Sequence, residues 1–164
     1  MKWEDLVQEL RIREAVTDDA DQIARLLTEL GYPSTQAFTA RKICELSRSE
    51  SDTVLVGEVR GRVLGVAHLH VAELFHEPGR LGRIMALVVT SSQRRRGVGR
   101  KLMAQLETMA QRAGCVKMEI TSGSHRNDAH EFYGILGYVE RPRRFVKDLH
   151  DGMNHTVDLS RASA

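Results

Sequence analysis

Apolar and polar positions along the chain repeat with two different periods, and the switches between them mark out the elements. RIREA at 11–15 alternates residue by residue and predicts a first strand. Ile23, Leu26, Leu27 and Leu30 then recur at helical spacing, and Gly31 closes that helix. Thr17 stands as its N-cap, with Asp18, Asp19 and Asp21 in the first turn, where the helix dipole favours acids. Pro33 and Ser34 open a second helix to about Ser49, with a weaker stripe of Phe38, Ile43 and Leu46. TVLVGEV and RVLGVAHLHV return to strand spacing, joined through RGR as a hairpin. LGRIMALVV at 81–89 is apolar at nearly every position, as in a strand buried on both faces. From Gly97 to Arg112 the helical spacing resumes through Val98, Leu102, Leu106, Met109 and Ala110, with Gly114 as terminator. CVKMEIT reads as a fifth strand and NDAHEFYGIL as a helix ending at Gly137. YVE and RFVKDL read as closing strands, and HTVDL as a candidate for one more.

This order predicts one α/β domain over 1–164, with its core at about 11–149 and a polar tail at 150–164. The expected sheet is single, mixed and mostly antiparallel, of about six to seven strands flanked by four helices. With 164 residues, 41% of them apolar, the chain can bury a core of its own. No run approaches the length of a membrane span, and MKWEDLVQEL lacks a signal-peptide apolar region, so a cytoplasmic protein with no membrane partner is expected. Cys44 and Cys115 stand apart in apolar or helical surroundings and read as buried free thiols. His68 and His70 share one strand face, but no further ligand stands at a diagnostic spacing, so no metal site is predicted.

Charge changes the picture in one place. Residues 1–82 carry ten basic and fourteen acidic groups, whereas 83–164 carry fourteen and eight. The excess concentrates in QRRRGVGRKL at 93–102 and RPRR at 141–144. A local excess suits a small polyanion better than a duplex, and 83–112 holds no aromatic on which a base could stack, so no nucleic-acid partner is expected. The basic stretch sits between a strand and a helix. A helix N-terminus offers backbone N–H groups without internal partners, and its dipole favours an anion. Gly97 and Gly99 remove Cβ bulk there, and Arg94, Arg95, Arg96, Arg100 and Lys101 supply attraction. A phosphate-bearing ligand across this turn is the physical expectation. Neither the Walker pattern nor the dinucleotide fingerprint fits, since GVGRKL lacks the first and Leu102 breaks the second.

RRRGVG fits [RQ]xxGx[GA], and with ALVV before it the segment resembles the acetyl-CoA-binding motif of the GNAT family of N-acetyltransferases. AHEFYGILGY at 129–138 resembles that family's AxxFYxxxGF segment, with Tyr138 at the Phe position. The order of elements from 11 to 149 matches as well. The resemblance implies an enzyme that moves an acetyl group from acetyl-CoA to a primary amine, by direct attack in a ternary complex. It implies that strands four and five splay apart and that the pantetheine arm pairs with Leu87, Val88 and Val89. The diphosphate would lie on Arg94, Arg95, Arg96, Gly97, Val98, Gly99 and Arg100. Tyr133 would act as general acid toward the leaving thiolate, and Phe132 would pack. Relatives carry an asparagine three residues before the alanine of the helix motif, where this chain has Arg126, with Asn127 next to it. Either contacts the cofactor in this reading, or Asn127 is a plain N-cap.

One part of the pattern is missing. Many family members place a glutamate on strand four as base, and 81–89 contains no carboxylate. Glu119, His70, Glu73 or a water chain are the substitutes, and Glu119 alternatively neutralises Lys117 on the same strand face. His76 and Glu77 lie in a loop that could border the acceptor. The acidic first helix, with Asp18, Asp19, Asp21 and Glu29, either attracts a cationic acceptor or is solvated surface. The missing carboxylate also leaves open a CoA-binding sensor without turnover. Exposed strand edges admit a homodimer.

Overall fold

The structure is a computed structural model and describes residues 8–123, 126–141 and 146. Strands β1 (Arg11–Glu14), β2 (Asp52–Val59), β3 (Arg62–Glu73), β4 (Arg80–Val89) and β5 (Cys115–Ile120) form one sheet in that spatial order. The first four are antiparallel neighbours, and β4 and β5 are parallel. Four α-helices accompany them among the described residues: α1 (Ala20–Leu30), α2 (Gln36–Leu46), α3 (Val98–Arg112) and α4 (Asn127–Ile135). The mixed sheet agrees with the expectation, but the described part has five strands where six to seven were expected. YVE at 138–140 carries no strand pairing among the described residues. RFVKDL, apart from Val146, and HTVDL lie outside the described residues.

Two apolar layers cover opposite faces of the sheet. On one, Leu102, Met103, Leu106 and Ala110 of α3 pack on Leu55, Ala67, Leu69 and Ile84. On the other, Ile23 and Leu26 of α1 and Ile43 of α2 pack on Val56, Val63, Val66 and Val88. Leu106 is fully buried, so Leu106→Ala is expected to destabilise the fold by about 2–5 kcal/mol through lost burial and the cavity left behind. Urea unfolding checks this, as a lower midpoint at unchanged slope.

Ile84 faces α3, yet Leu87 and Val89 also pack on the α3 side while Val88 faces α1. A regular strand cannot do this, because side chains alternate strictly. The pairing explains it: His68 lies opposite Ala86 and Leu69 opposite Ile84, so Met85 has no opposite residue. Met85 is a β-bulge that shifts the parity of β4 by one.

The termini of α1 and α2 are set by contacts more than by the residues expected to cap them. Thr17 belongs to a 3-10 turn, Thr17–Asp19, that precedes α1. Asp19 is buried and accepts two hydrogen bonds from the Arg13 guanidinium, at 2.7 and 2.8 Å. Those bonds hold its carboxyl below the usual carboxylate range. Thr35, rather than Pro33 or Ser34, caps α2, accepting from the Phe38 N–H at 3.2 Å. Cys44 and Cys115 are free but half-buried rather than buried.

Candidate active site

The parallel pairing of β4 with β5 runs from Arg80 opposite Cys115 to Ile84 opposite Ile120 and stops there. β4 continues to Val89 while β5 ends at Ile120, so Met85–Val89 has β3 on one side and no β5 partner on the other. Hydrogen bonding decides which of its groups face that gap. Thr90 donates its N–H to Leu64 O at 2.9 Å. By the alternation of an antiparallel ladder, Val88 also points its N–H and C=O at β3. Leu87 and Val89 point theirs toward the gap. The Val89 carbonyl accepts from Arg94 Nε at 3.3 Å.

Beyond β4 the chain makes a 3-10 turn, Ser91–Gln93, and enters α3 through Gly97. Glu29 of α1 pins this turn, its carboxylate accepting from Ser91 N–H at 2.9 Å and Thr90 Oγ1 at 3.1 Å. Asp19 is bound to Arg13 and Asp21 to Arg25. Three of the four acids proposed to draw a cationic acceptor therefore serve local structure.

Arg95 has a φ of 60° and Gly97 of 81°, both in the left-handed region. Such a backbone turn aims successive N–H groups to one side. No side chain caps α3, and its first helical bond to a flanking residue is Lys101 N–H to Gly97 O at 3.0 Å. The N–H groups of Val98, Gly99 and Arg100 precede it and lack an intrahelical acceptor. Arg13, Arg25, Arg41, Arg60, Arg80 and Arg83 each meet a carboxylate, whereas Arg94, Arg95, Arg96 and Arg100 meet none among the described residues. Positive charge is thus left unneutralised at this turn. Val98 is buried in the core and contributes only its backbone here. Gly99 is also closely packed. A Cβ there would stand 3.3 Å from Phe132 Cζ and 3.6 Å from Val89 Cγ2, so it makes room for the side chains of α4 and β4.

A cleft of about 1390 Å³ runs along β5 and α4, and Arg83, Glu119, Ile120, Thr121, Tyr133 and Tyr138 are among its walls. It brings Tyr133 and Glu119 to one space. Tyr133 lies edge-on to Phe132 and Tyr138, at centroid distances of 5.3 and 6.1 Å. Among the described residues its hydroxyl has no hydrogen-bond partner. Burial pushes this phenol up to about 12, against a smaller opposite pull from Arg126. Tyr138, in place of the expected Phe, satisfies its hydroxyl by donating to Glu107 Oε1 of α3 at 3.0 Å.

Glu119 does not neutralise Lys117. Arg83 Nε lies 3.2 Å from its Oε1, and Lys117 pairs instead with Glu77 in the β3–β4 loop. The guanidinium of Arg126 reaches Leu30 O at 2.6 Å and ties the start of α4 to the end of α1. Arg126, not Asn127, occupies the N-cap position of α4, and Asn127 is its first helical residue.

One cluster went unseen in the sequence. Asp52 Oδ1 takes both His68 Nε2, at 2.8 Å, and His70 Nδ1, at 2.9 Å. Its Oδ2 accepts from Ser49 Oγ at 2.6 Å. Burial by itself would raise this carboxyl, but the three hydrogen bonds outweigh it and hold the group at about 2. The only sequence signal was the shared face of the two histidines.

The family profile described as Acetyltransferase (GNAT) family matches residues 14–138. An aminoalkylphosphonate N-acetyltransferase of Salmonella typhimurium is 32% identical over 148 residues, 89% of this chain and 96% of that protein. A probable glucosamine 6-phosphate N-acetyltransferase of Drosophila melanogaster is 26% identical over 139 residues, 81% of this chain and 62% of that protein. An aminoglycoside N-acetyltransferase solved in complex with CoA has a TM-score of 0.75 at 16% identity, over 85% of this chain and 93% of that one, and shares the fold. Among the described residues no helix is long and apolar enough to cross a membrane. With a sheet that parts beside an uncapped helix start, and with these matches across most of its length, the chain belongs to the GNAT family of acetyltransferases and is an N-acetyltransferase.

Proposed function

We propose that the chain moves an acetyl group from acetyl-CoA to a primary amine by direct attack in a ternary complex. The observation that carries this reading is the end of β4–β5 pairing at Ile84 and Ile120, beside a helix start with open amides and four arginines that meet no carboxylate among the described residues. The diphosphate of CoA would lie on the N–H groups between Arg94 and Gly99, where partial positive charge and bare backbone favour an anion. The amide-bearing pantetheine arm suits Leu87 and Val89, whose backbone groups face the gap, while Val88 is engaged with β3. The Leu87 N–H is the donor best aimed to stabilise negative charge as it grows on the thioester oxygen. Tyr133 presents an unpartnered phenol toward the cleft and acts as hydrogen-bond donor to the leaving sulfur. Arg126 and Asn127 border the cofactor from the start of α4.

The two named relatives suggest an acceptor class to test first, because both names join an amine to a phosphonate or phosphate. Incubation with acetyl-CoA and a panel containing 2-aminoethylphosphonate, glucosamine 6-phosphate, an aminoglycoside and a polyamine, read as release of free thiol, tests the reading. Amine-dependent thiol release is expected. Tight CoA binding with no release across the panel would instead make the chain a sensor of CoA.

A further inference from the structure

At the edge of the apolar layer under α1 and α2, a row of titratable side chains crosses the sheet. Asp52 on β2 lies opposite His70 on β3, His70 opposite Arg83 on β4, and Arg83 opposite Glu119 on β5. All four belong to the face opposite α3, because their neighbours Leu69, Ile84, Met118 and Ile120 pack on the α3 side. That row crosses the sheet where β4 and β5 part, and adjacent strands are about 5 Å apart. Met85, exposed at the bulge, lies two residues from Arg83 on the same side. On the α3 side Leu106 is packed in the core, while Ala110 also borders the cleft along β5.

Within that row the geometry singles out His70. Its Nδ1 is held by Asp52 Oδ1, and an ionised carboxylate can only accept, so in the neutral ring Nδ1 carries the proton and Nε2 bears the lone pair. The His70 side chain is 40% exposed, against 18% for His68 and 12% for Asp52, so His70 alone of the three reaches the open face. Among the described residues its Nε2 has no partner. Glu119 is engaged by Arg83, whose Nε lies 3.2 Å from its Oε1. Apart from Asp52, the charged or titratable groups around His70 are His68 on its own strand and Arg83 across the pair, with Glu119 beyond.

We propose that His70 is the general base of the transfer and Asp52 its positioning residue. This rests on the acetyltransferase reading given above. His70 Nε2 takes one proton from the acceptor ammonium. The freed nitrogen lone pair attacks the thioester carbonyl carbon and forms the C–N bond. Collapse of the tetrahedral intermediate breaks the C–S bond. The thiolate takes a proton from Tyr133 or water, which is restored by the second proton leaving the nitrogen. His70 returns its own proton to solvent, so amide, free thiol and one proton are the products.

The test uses the whole chain with 2-aminoethylphosphonate, or whichever panel amine the wild type acetylates fastest. His70→Gln is expected to lower kcat at neutral pH on the order of 100-fold. Its acetyl-CoA affinity by calorimetry is expected to stay within about twofold, since no contact to CoA is removed. Without a base only the free amine reacts, so the variant's rate should climb about tenfold per pH unit toward the amine's own pKa and approach the wild type there. Asp52→Asn should show a smaller loss of the same kind and serves if His70→Gln fails to fold. A wild type that turns over while both folded variants match it at every pH overturns the assignment and leaves the transferase reading standing. So does a loss that high pH does not repair. A wild type inert to every amine overturns both readings.

Discussion

Gly97→Glu is expected to raise the dissociation constant for acetyl-CoA on the order of 100-fold, a loss of about 2.8 kcal/mol. The carboxylate would sit at the start of α3, among the amides proposed to hold a diphosphate. It would repel the ligand and compete for the same N–H donors. Part of any effect will come from the backbone, because Gly97 has a φ of 81° and an ordinary side chain resists that region. Gly97→Asn separates the two causes, since asparagine tolerates the left-handed region and adds no charge. Calorimetry should find Gly97→Asn within several-fold of the wild type and Gly97→Glu far weaker. Equal affinity for all three chains would show that the diphosphate lies elsewhere. Gly99 is a poorer probe. A side chain there meets the Phe132 ring first, so lost binding would report a displaced α4 as readily as a blocked phosphate site.

Tyr133→Phe should lower kcat about 100-fold while leaving acetyl-CoA affinity within about twofold. The phenyl ring keeps the edge contacts to Phe132 and Tyr138, so the change removes the hydroxyl and little else. With its phenol pushed up to about 12, Tyr133 keeps its proton throughout the working range. Proton transfer to a thiolate, whose thiol has an ordinary pKa near 8.5, is then more uphill than for a free phenol. Its proposed contribution is therefore a hydrogen bond to the departing sulfur, with the proton following late. An activity loss on the alkaline side below about pH 10 must then come from another group, because a raised phenol pKa postpones its ionisation. Single-turnover rates across pH check this. An unchanged kcat in Tyr133→Phe would reduce the residue to packing.

Much of this arrangement was legible along the chain. Alternation and helical spacing located the five described strands and the four helices to within a few residues. RRRGVG and AHEFYGILGY pointed to the turn proposed for a diphosphate and to Tyr133, because both depend on side chains or missing side chains within one short segment. The site around them was less legible. LGRIMALVV is apolar throughout, so its pattern cannot reveal that Met85 bulges out and that Val88 turns from the α3 face to the α1 face. Nor does RRRGVG record that Gly99 lies against Phe132 of α4.

The sequence by itself determined the order of elements, the family and the turn proposed to hold an anion, since each is written in local periods and contiguous motifs. Only the tertiary structure decided which polar groups meet. Asp52 finds His68 and His70 from 16 and 18 residues away, and Arg83 finds Glu119 rather than leaving it to Lys117. Those pairings follow from strand register, which turn lengths, a bulge and the packing of two apolar layers set together. A one-residue slip in any strand would turn its polar groups to the opposite face, and no single segment records which register is adopted.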